Sequence, residues 1–312
     1  MKIGLDIMGG DFAPKATVLG AIEACKSLSK EQTIVLFGDK EQALEIISSQ
    51  NINPDIFEYV HTTEIIGMGE HPTKAISQKP NASICRGFSS LKAGEIDSFS
   101  SAGNTGAMYV GSMMSVKAIT GVHRPAIASN IPKEKEGFGI LLDVGANADC
   151  KAETLLQFAI LGSLYIEHVY NVHNPKVGLI NLGEEKEKGN HLTLASFPLF
   201  EANDHINFIG NIEGRDLFND KSDVMVCDGF TGNIVLKLAE SFYELAQHRG
   251  FKDDFIDRFN YEQYGGSPIL GVNAPVIIGH GISTPEAIKN MILLSKTMIE
   301  SKVVDKIKNA FN

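Results

Sequence analysis

Ile140-Leu141-Leu142-Asp143-Val144-Gly145-Ala146-Asn147 is the stretch that decides the fold. It is apolar without alternation up to Asp143, as expected of a central strand buried on both faces of a parallel sheet. It then breaks into a carboxylate and a Gly turn, so the strand delivers Asp143 to the carboxyl edge, where open α/β sheets place ligands. The pattern recurs along the chain. Residues 2–7, 33–38, 55–60, 96–101, 125–130, 138–143, 176–182, 206–210 and 223–227 read as strands. Helical periodicity runs over 14–28, 39–49, 82–93, 105–118, 151–170, 230–248 and 285–308, so an α/β fold with helices covering a largely parallel sheet is expected.

Three more turns carry the same chemistry as 143–147. They are Asp6-Ile-Met-Gly-Gly-Asp11, Ser101-Ala-Gly-Asn-Thr-Gly-Ala107 and Asp228-Gly-Phe-Thr-Gly-Asn233. Glycines allow close backbone approach, the Asn and Thr side chains offer donors, and a helix start adds free N–H groups and a positive dipole end. Any one of these turns read alone is an ordinary loop, and a lone Asp at a strand end is often only a helix cap. Four together suggest the rim of an active site. The anion-binding set expected there is Gly9, Gly10, Asp11, Gly103, Thr105, Gly106, Asn147, Thr231 and Gly232, with Asn104, Asn233, Asp143 and Asp228 nearer the chemistry.

Two basic residues join them. Lys188, beside Gly189 and Asn190 in the charged loop 183–191, has an oxyanion as its functional partner and plain solvent as its bland one. Arg124 suits bidentate contact with phosphate or carboxylate, and a structural ion pair is equally compatible with its position.

Composition narrows the classes. The chain has 312 residues, 43% hydrophobic and 21% charged, with 30 glycines and a net charge of −10. An ordinary globular protein is indicated, and the negative balance argues against nucleic acid or a general affinity for anionic lipid. Cys25, Cys85, Cys150 and Cys227 show no paired spacing, and the nine histidines show no metal pattern, so no metal and no disulfide is expected. The chain holds no G-x-G-x-x-G, no phosphate loop of the G-x-x-x-x-G-K-[ST] type, no G-x-S-x-G and no H-E-x-x-H. Met1-Lys2-Ile3-Gly4 leads straight into a strand, so neither a leader nor a membrane span is expected, and cytoplasmic placement follows. Residues 261–281 interrupt the regular pattern. Ile269, Leu270, Val272, Val276, Ile277 and Ile278 stand there among glycines and prolines and read as a buried loop, a dimer contact or an apolar flap facing an acyl chain or the bilayer.

Taken in order along the whole chain, these motifs resemble the PlsX family, the acyl-acyl-carrier-protein:phosphate acyltransferases. The resemblance rests on Asp6 to Pro14, Ser101 to Ala107, Gly121-Val-His-Arg-Pro-Ala126, Leu142 to Asn147, Asn181 to Asn190, Asp228 to Asn233 and Tyr264 through Gly281. Where the family carries a basic Arg-Arg-Lys-Lys-Asp-Ser-Ser stretch, this chain has Ser77-Gln-Lys-Pro-Asn-Ala-Ser83. The resemblance implies a three-layer α/β/α fold like that of isocitrate and isopropylmalate dehydrogenases and of phosphotransacetylases. It implies one catalytic domain over residues 1–312, a homodimer, and a cytoplasmic enzyme in transient peripheral contact with the membrane. The implied reaction is attack of orthophosphate on the thioester of a long acyl chain held by acyl carrier protein, with no cofactor, giving acyl phosphate for a membrane glycerol-3-phosphate acyltransferase. An acetyl-CoA:phosphate transferase and a nicotinamide-dependent decarboxylating dehydrogenase are the rival enzymes, and a non-catalytic carrier-binding scaffold is the rival of another class.

Overall fold

The structure, a computed structural model, describes residues 1–311, with Tyr261 described by its backbone alone. Asn312, the last residue of the expected 1–312 domain, lies outside the described residues. The chain forms two compact units: unit 1 is Met1–Ala118 with Tyr261–Glu300, and unit 2 is Ile119–Asn260 with the segment from Ser301 onward.

Unit 1 opens with β1 (Lys2–Asp6), α1 (Lys15–Cys25), β2 (Thr33–Gly38), α2 (Lys40–Ser49), β3 (Phe57–His61), α3 (Pro72–Gln78), α4 (Ser83–Ala93), β4 (Ser98–Ser101) and α5 (Thr105–Ser115). Unit 2 holds β5 (Ala126–Pro132), β6 (Phe138–Leu142), α6 (Ala152–Tyr170), β7 (Lys176–Ile180), α7 (His191–Glu201), β8 (Asn207–Ile212), β9 (Val224–Val226), α8 (Gly229–His248) and α9 (Asp254–Asp257). Unit 1 resumes with β10 (Ser267–Leu270), β11 (Val276–Ile278) and α10 (Pro285–Glu300), and α11 (Val303–Phe311) returns to unit 2. Every strand expected from the sequence is present, with ends that differ only as frayed termini do.

The strands of unit 1 run in the order β3-β2-β1-β4-β11-β10, parallel except for β10 against β11. Those of unit 2 run β5-β6-β9-β7-β8, parallel except for β5 against β6. Successive residues of β4 show helices on both faces of the sheet. Phe99 points to α4, where it meets Phe88 edge-on at 5.1 Å between ring centroids, and Ser100 points to α10, its hydroxyl 2.8 Å from that of Ser295. In unit 2 the α6 helix lies close on the sheet, because a Cβ on Gly162 would sit 2.7 Å from Val224. Three layers, α/β/α, are the result.

At residues 261–281 the structure shows burial, one of the readings the sequence offers, and not an apolar flap. Ile269 and Leu270 belong to β10, Val276, Ile277 and Ile278 belong to β11, and all five together with Val272 are at most 5% exposed. They are core, and none of them is available to a bilayer or an acyl chain. The reason is topological: β11 is paired on both edges by β4 and β10, and α5 and α10 pack against it, so its side chains are covered. The unpartnered apolar surface lies on α8 instead, where Phe230, Ile234, Leu238, Phe242 and Leu245 recur at helical spacing and are each at least half exposed. The expected 285–308 helix is two helices, separated where Lys302 adopts φ 54°. Among the described residues no helix is long and apolar enough to cross a membrane.

Candidate active site

In unit 1, β1 and β4 are parallel neighbours, so the turns that follow them meet at one edge. Asp6 is buried at the end of β1; its carboxylate accepts from the Ser101 hydroxyl at 2.6 Å and from the Met8 N–H at 2.9 Å. Burial pushes its pKa up against those hydrogen bonds. The Gly103 N–H in turn donates to Ser101 Oγ at 2.9 Å. Gly9 packs into this network, since a Cβ there would sit 2.6 Å from both Asp6 Oδ2 and Gly103 N. A third turn joins them. Asp11 N–H donates to Gly281 O at 2.7 Å, Gly279 N–H donates to Ser101 O at 2.8 Å, and Gly10 turns at φ 104°.

Asn104 is not the substrate donor expected of it. Its Oδ1 caps α5 by accepting from Ala107 N–H at 2.9 Å, and its Nδ2 faces the carbonyls of Gly67, Met68 and Glu70 at 3.1, 3.0 and 2.9 Å. The side chain clamps the 67–70 segment, and its donors are used up. Gly106 packs on Pro72, 2.4 Å from its Cγ to a notional Cβ, which leaves exposed Thr105 as the outward-facing side chain of this motif. Loss of a cap together with the clamp predicts that Asn104→Ala destabilises the protein by about 2 kcal/mol in urea unfolding. An unchanged midpoint with lost turnover would give the amide back to the substrate.

In unit 2, β6, β9 and β7 are parallel neighbours, and the turns after all three leave the same edge. Asp143 is completely buried. Its Oδ1 accepts from the N–H groups of Ile127 and Ala146 at 3.0 and 3.3 Å, and its Oδ2 from the Asn147 N–H and Nδ2 at 2.6 and 3.0 Å. Desolvation raises its pKa and these donors lower it, burial being the larger effect. Asn147 spends its second amide proton on Pro125 O at 2.8 Å, so it too is a brace and not a free donor. Asp228 caps α8, accepting from Thr231 N–H at 2.8 Å and Thr231 Oγ1 at 3.0 Å, and Thr231 is thereby consumed. Gly229 N–H donates to Asn147 O at 2.8 Å, and Gly232 lies so close to the 143–147 turn that a Cβ would fall 1.9 Å from Asp143 O.

What these braces support is a small set of free donors. Asn233 is exposed and lies over Gly145, its Oδ1 3.4 Å from a notional Cβ there. Arg124 is exposed beside Pro125 and is felt electrostatically by Cys150, which follows the same turn. Lys188 is exposed in the loop after β7, whose backbone is fixed by Asn181 Nδ2 donating to Lys188 O at 3.0 Å. Among the described residues none of these three side chains has a polar partner. Lys186, two residues away, is paired with Glu201. In the atypical 77–83 stretch, Lys79 is bound to Glu70 at 2.5 Å and to Ile65 O at 2.8 Å, so it serves the 65–70 segment. Asp6 and Ser101 both stand at strand ends in the sequence, and their direct hydrogen bond is what the structure adds. Ser101 was visible in its motif, but a partner 95 residues away leaves no local signal.

A family model described as a fatty acid synthesis protein matches residues 1–306. Curated relatives named phosphate acyltransferase include those of Dictyoglomus turgidum, 40% identical over all of this chain and 98% of the relative, and Desulforamulus reducens, 42% identical over 99% of this chain and 97% of the relative. Among solved structures, the EutD phosphotransacetylase from Staphylococcus aureus has a TM-score of 0.63 at 16% identity, covering 96% of this chain and 94% of that one. A phosphotransacetylase from Streptococcus pyogenes gives 0.64 at 15% identity with the same coverage, and both show the same fold. The chain belongs to the fatty acid synthesis protein family, the PlsX-type phosphate acyltransferases, and is an acyltransferase enzyme.

Proposed function

We propose that this chain transfers a long-chain fatty acyl group from acyl carrier protein to orthophosphate, giving acyl phosphate and free carrier. The observation that carries this reading is the division of labour in unit 2. Asp143, Asp228, Asn147 and Thr231 are spent on bracing the turns, while Arg124, Asn233 and Lys188 stay exposed and, among the described residues, have no polar side-chain partner. Such a rim offers cationic and neutral donors, and the turn carboxylates Asp143 and Asp228 are engaged by hydrogen-bond donors of their own turns, which suits an incoming dianion.

In this reading a phosphate oxygen attacks the thioester carbonyl, charge builds on the carbonyl oxygen, and the C–S bond breaks to release the carrier thiol, which takes up a proton. Phosphate is already largely a dianion near neutral pH, so the protein positions it and stabilises the oxyanion. Arg124 and Lys188 hold phosphate, and Asn233 donates to the carbonyl oxygen. A covalent acyl-enzyme is unnecessary. Burial, reinforced by Asp143 and Asp228, pushes the Cys150 thiol up to about 12, which keeps it protonated and a poor nucleophile.

The rest of the reading comes from the family: a homodimer, transient peripheral contact of a cytoplasmic enzyme with the membrane, and a membrane glycerol-3-phosphate acyltransferase that takes the product. With 269–278 buried, the second copy is better placed on the exposed N-terminal half of α8, at Phe230, Ile234 and Leu238.

The test is phosphate-dependent release of carrier from palmitoyl-acyl carrier protein, with acetyl-CoA run beside it. Lys188→Ala should lower turnover by about 100-fold or more while the unfolding midpoint stays put, because the side chain is exposed and packs no core. Wild-type turnover in that variant returns Lys188 to the solvent. Preference for acetyl-CoA over the long-chain donor overturns the substrate assignment.

A further inference from the structure

In unit 2 the loop that carries Lys188 is tied to three neighbouring segments. Asn181, just after β7, holds its far end through Lys188 O. Asn211, buried on β8, holds its middle. Its Nδ2 donates to Glu185 O at 2.9 Å, and the same carbonyl accepts the Lys188 N–H at 3.2 Å, so the turn over 185–188 is closed and clamped at one atom. Lys221, in the segment that leads into β9, holds the start of the loop. Its ammonium donates to Glu184 Oε1 at 2.6 Å and to Asp216 Oδ2 at 2.8 Å, joining an exposed side chain of the loop to a buried carboxylate in the turn after β8.

The fixed end of this bridge cannot follow a moving loop. Asp216 Oδ2 also accepts from the Glu213 N–H at 3.0 Å, and its Oδ1 accepts from Asn219 Nδ2 at 3.1 Å. Asn219 Oδ1 in turn accepts from the Lys221 N–H at 2.9 Å, which fixes the root of the lysine. Burial opposes the charge on Lys221, and the bonds to Asp216 and Glu184 more than offset it, so its pKa is raised and the ammonium persists at neutral pH. The mobile end of the bridge lies under Lys188 itself. A Cβ on Gly183 would sit 3.2 Å from Lys188 Cγ and 3.5 Å from its Cβ, so residues 183 and 184 form the bed on which that side chain starts.

We propose that Lys221 is a positioning residue: by holding Glu184 against Asp216 it fixes residues 183–188 and so sets where the Lys188 ammonium stands. The anchoring follows from these contacts alone; that the ammonium so placed receives phosphate rests on the function proposed above. A long, exposed lysine loses much of its value as a donor when its backbone drifts, because orientation must then be regained from solvent at each encounter. A half-exposed ion pair contributes little to global stability. The effect is therefore expected in the loop and in phosphate use, with the urea midpoint nearly unchanged.

The experiment compares Lys221→Met, Lys221→Arg and Glu184→Ala with wild type in two assays. Hydrogen exchange across residues 184–189 reads the loop with no substrate present, and steady-state release of carrier from palmitoyl-acyl carrier protein reads the KM for phosphate. Lys221→Met and Glu184→Ala cut the same bond from opposite ends, so both should speed loop exchange about ten-fold and raise the phosphate KM about ten-fold, with the KM for the acyl donor unchanged. Lys221→Arg, whose fork can reach both carboxylates, should return both readings to within about two-fold of wild type. In a Lys188→Ala background, Lys221→Met should change the phosphate KM by less than about two-fold, because its effect runs through the missing ammonium. Glu184 is exposed, so Glu184→Ala keeps the test in force if Lys221→Met fails to fold.

Unchanged exchange in Glu184→Ala overturns the anchoring. Faster exchange with an unchanged phosphate KM, or an undiminished effect of Lys221→Met in the absence of Lys188, overturns the positioning role. Lys221 is then only the counter-charge of Glu184, Glu213 and Asp216, whose carboxylates gather within 4.8 Å of one another. A wild-type protein that releases no carrier with phosphate, while Glu184→Ala still loosens the loop, refutes the transfer and keeps the anchoring.

Discussion

Replacing Asp143 by alanine is expected to destabilise the protein by about 4 kcal/mol and to remove measurable phosphate-dependent transfer. The carboxylate is completely buried and four donors converge on it, from Ile127, Ala146 and, twice, Asn147. Alanine leaves those N–H groups buried without their acceptor, and each unsatisfied buried donor costs on the order of 1–3 kcal/mol. The 143–147 turn then loses the brace that holds Gly145 beneath Asn233, so stability and chemistry fail together. Asn at this position separates the two. Its oxygen still accepts from Ile127 and Ala146, but its amide group opposes the donors of Asn147, so an intermediate loss is expected. The pH dependence adds a sign. Burial raises the Asp143 pKa in the fold, so the stability linked to its proton is present at low pH and is lost as pH rises from the unfolded value through the folded one. The stability difference between wild type and Asp143→Asn should therefore shrink as pH rises above the ordinary carboxylate range. A difference that grows with pH in guanidinium unfolding would mean that the four donors outweigh burial.

The parts of the fold legible in the sequence were those whose signal is local. Ile140 to Leu142 could be read as a central strand because parallel strands buried on both faces are apolar throughout, and Asp143 was placed at the carboxyl edge for the same reason. β10 and β11 were not legible. They are four and three residues long, too short to show a period, and Pro268 within β10 and Gly271 just after it read as loop residues. The exposed face of α8 went unread for the opposite reason. Phe230, Ile234, Leu238 and Phe242 follow the pattern of a helix packed on a core, and only the structure shows that this stripe is uncovered.

At the candidate site, residue type was more informative than residue role. Asn104, Asn147 and Asn233 are alike in the sequence, each a donor in a Gly turn. The difference lies in which carbonyls surround them. Asn104 has three from a segment more than thirty residues away, Asn147 has Pro125 O and the Asp143 carboxylate, and Asn233 among the described residues has none. Long-range partners of this kind leave no local spacing to detect. A polar Gly turn at a strand end thus locates a site edge, and the choice between brace and donor waits on the tertiary fold.

Gly232→Ala should cost more in activity than its size suggests. Alanine is the better helix former by up to about 1 kcal/mol, and Gly232 lies in the first turn of α8 where propensity alone would favour the change. The added methyl, however, would fall 1.9 Å from the backbone oxygen of Asp143 and 3.0 Å from Cys227 Sγ. Backbone held by four hydrogen bonds to the Asp143 carboxylate cannot yield as a flexible side chain would, so the helix start must move away. Overpacking of this kind typically costs about 1–3 kcal/mol, which exceeds the propensity gain. The larger effect is geometric. The neighbouring residue is Asn233, and a shift of even about 1 Å in a positioned donor is enough for roughly a 100-fold loss of turnover. Gly214→Ala is the control, since nothing lies within 4 Å of its notional Cβ and it should behave as wild type in both assays. Equal turnover for Gly232→Ala and Gly214→Ala would show that the α8 start does not set the position of the reacting groups, and Asn233 would lose its assigned role.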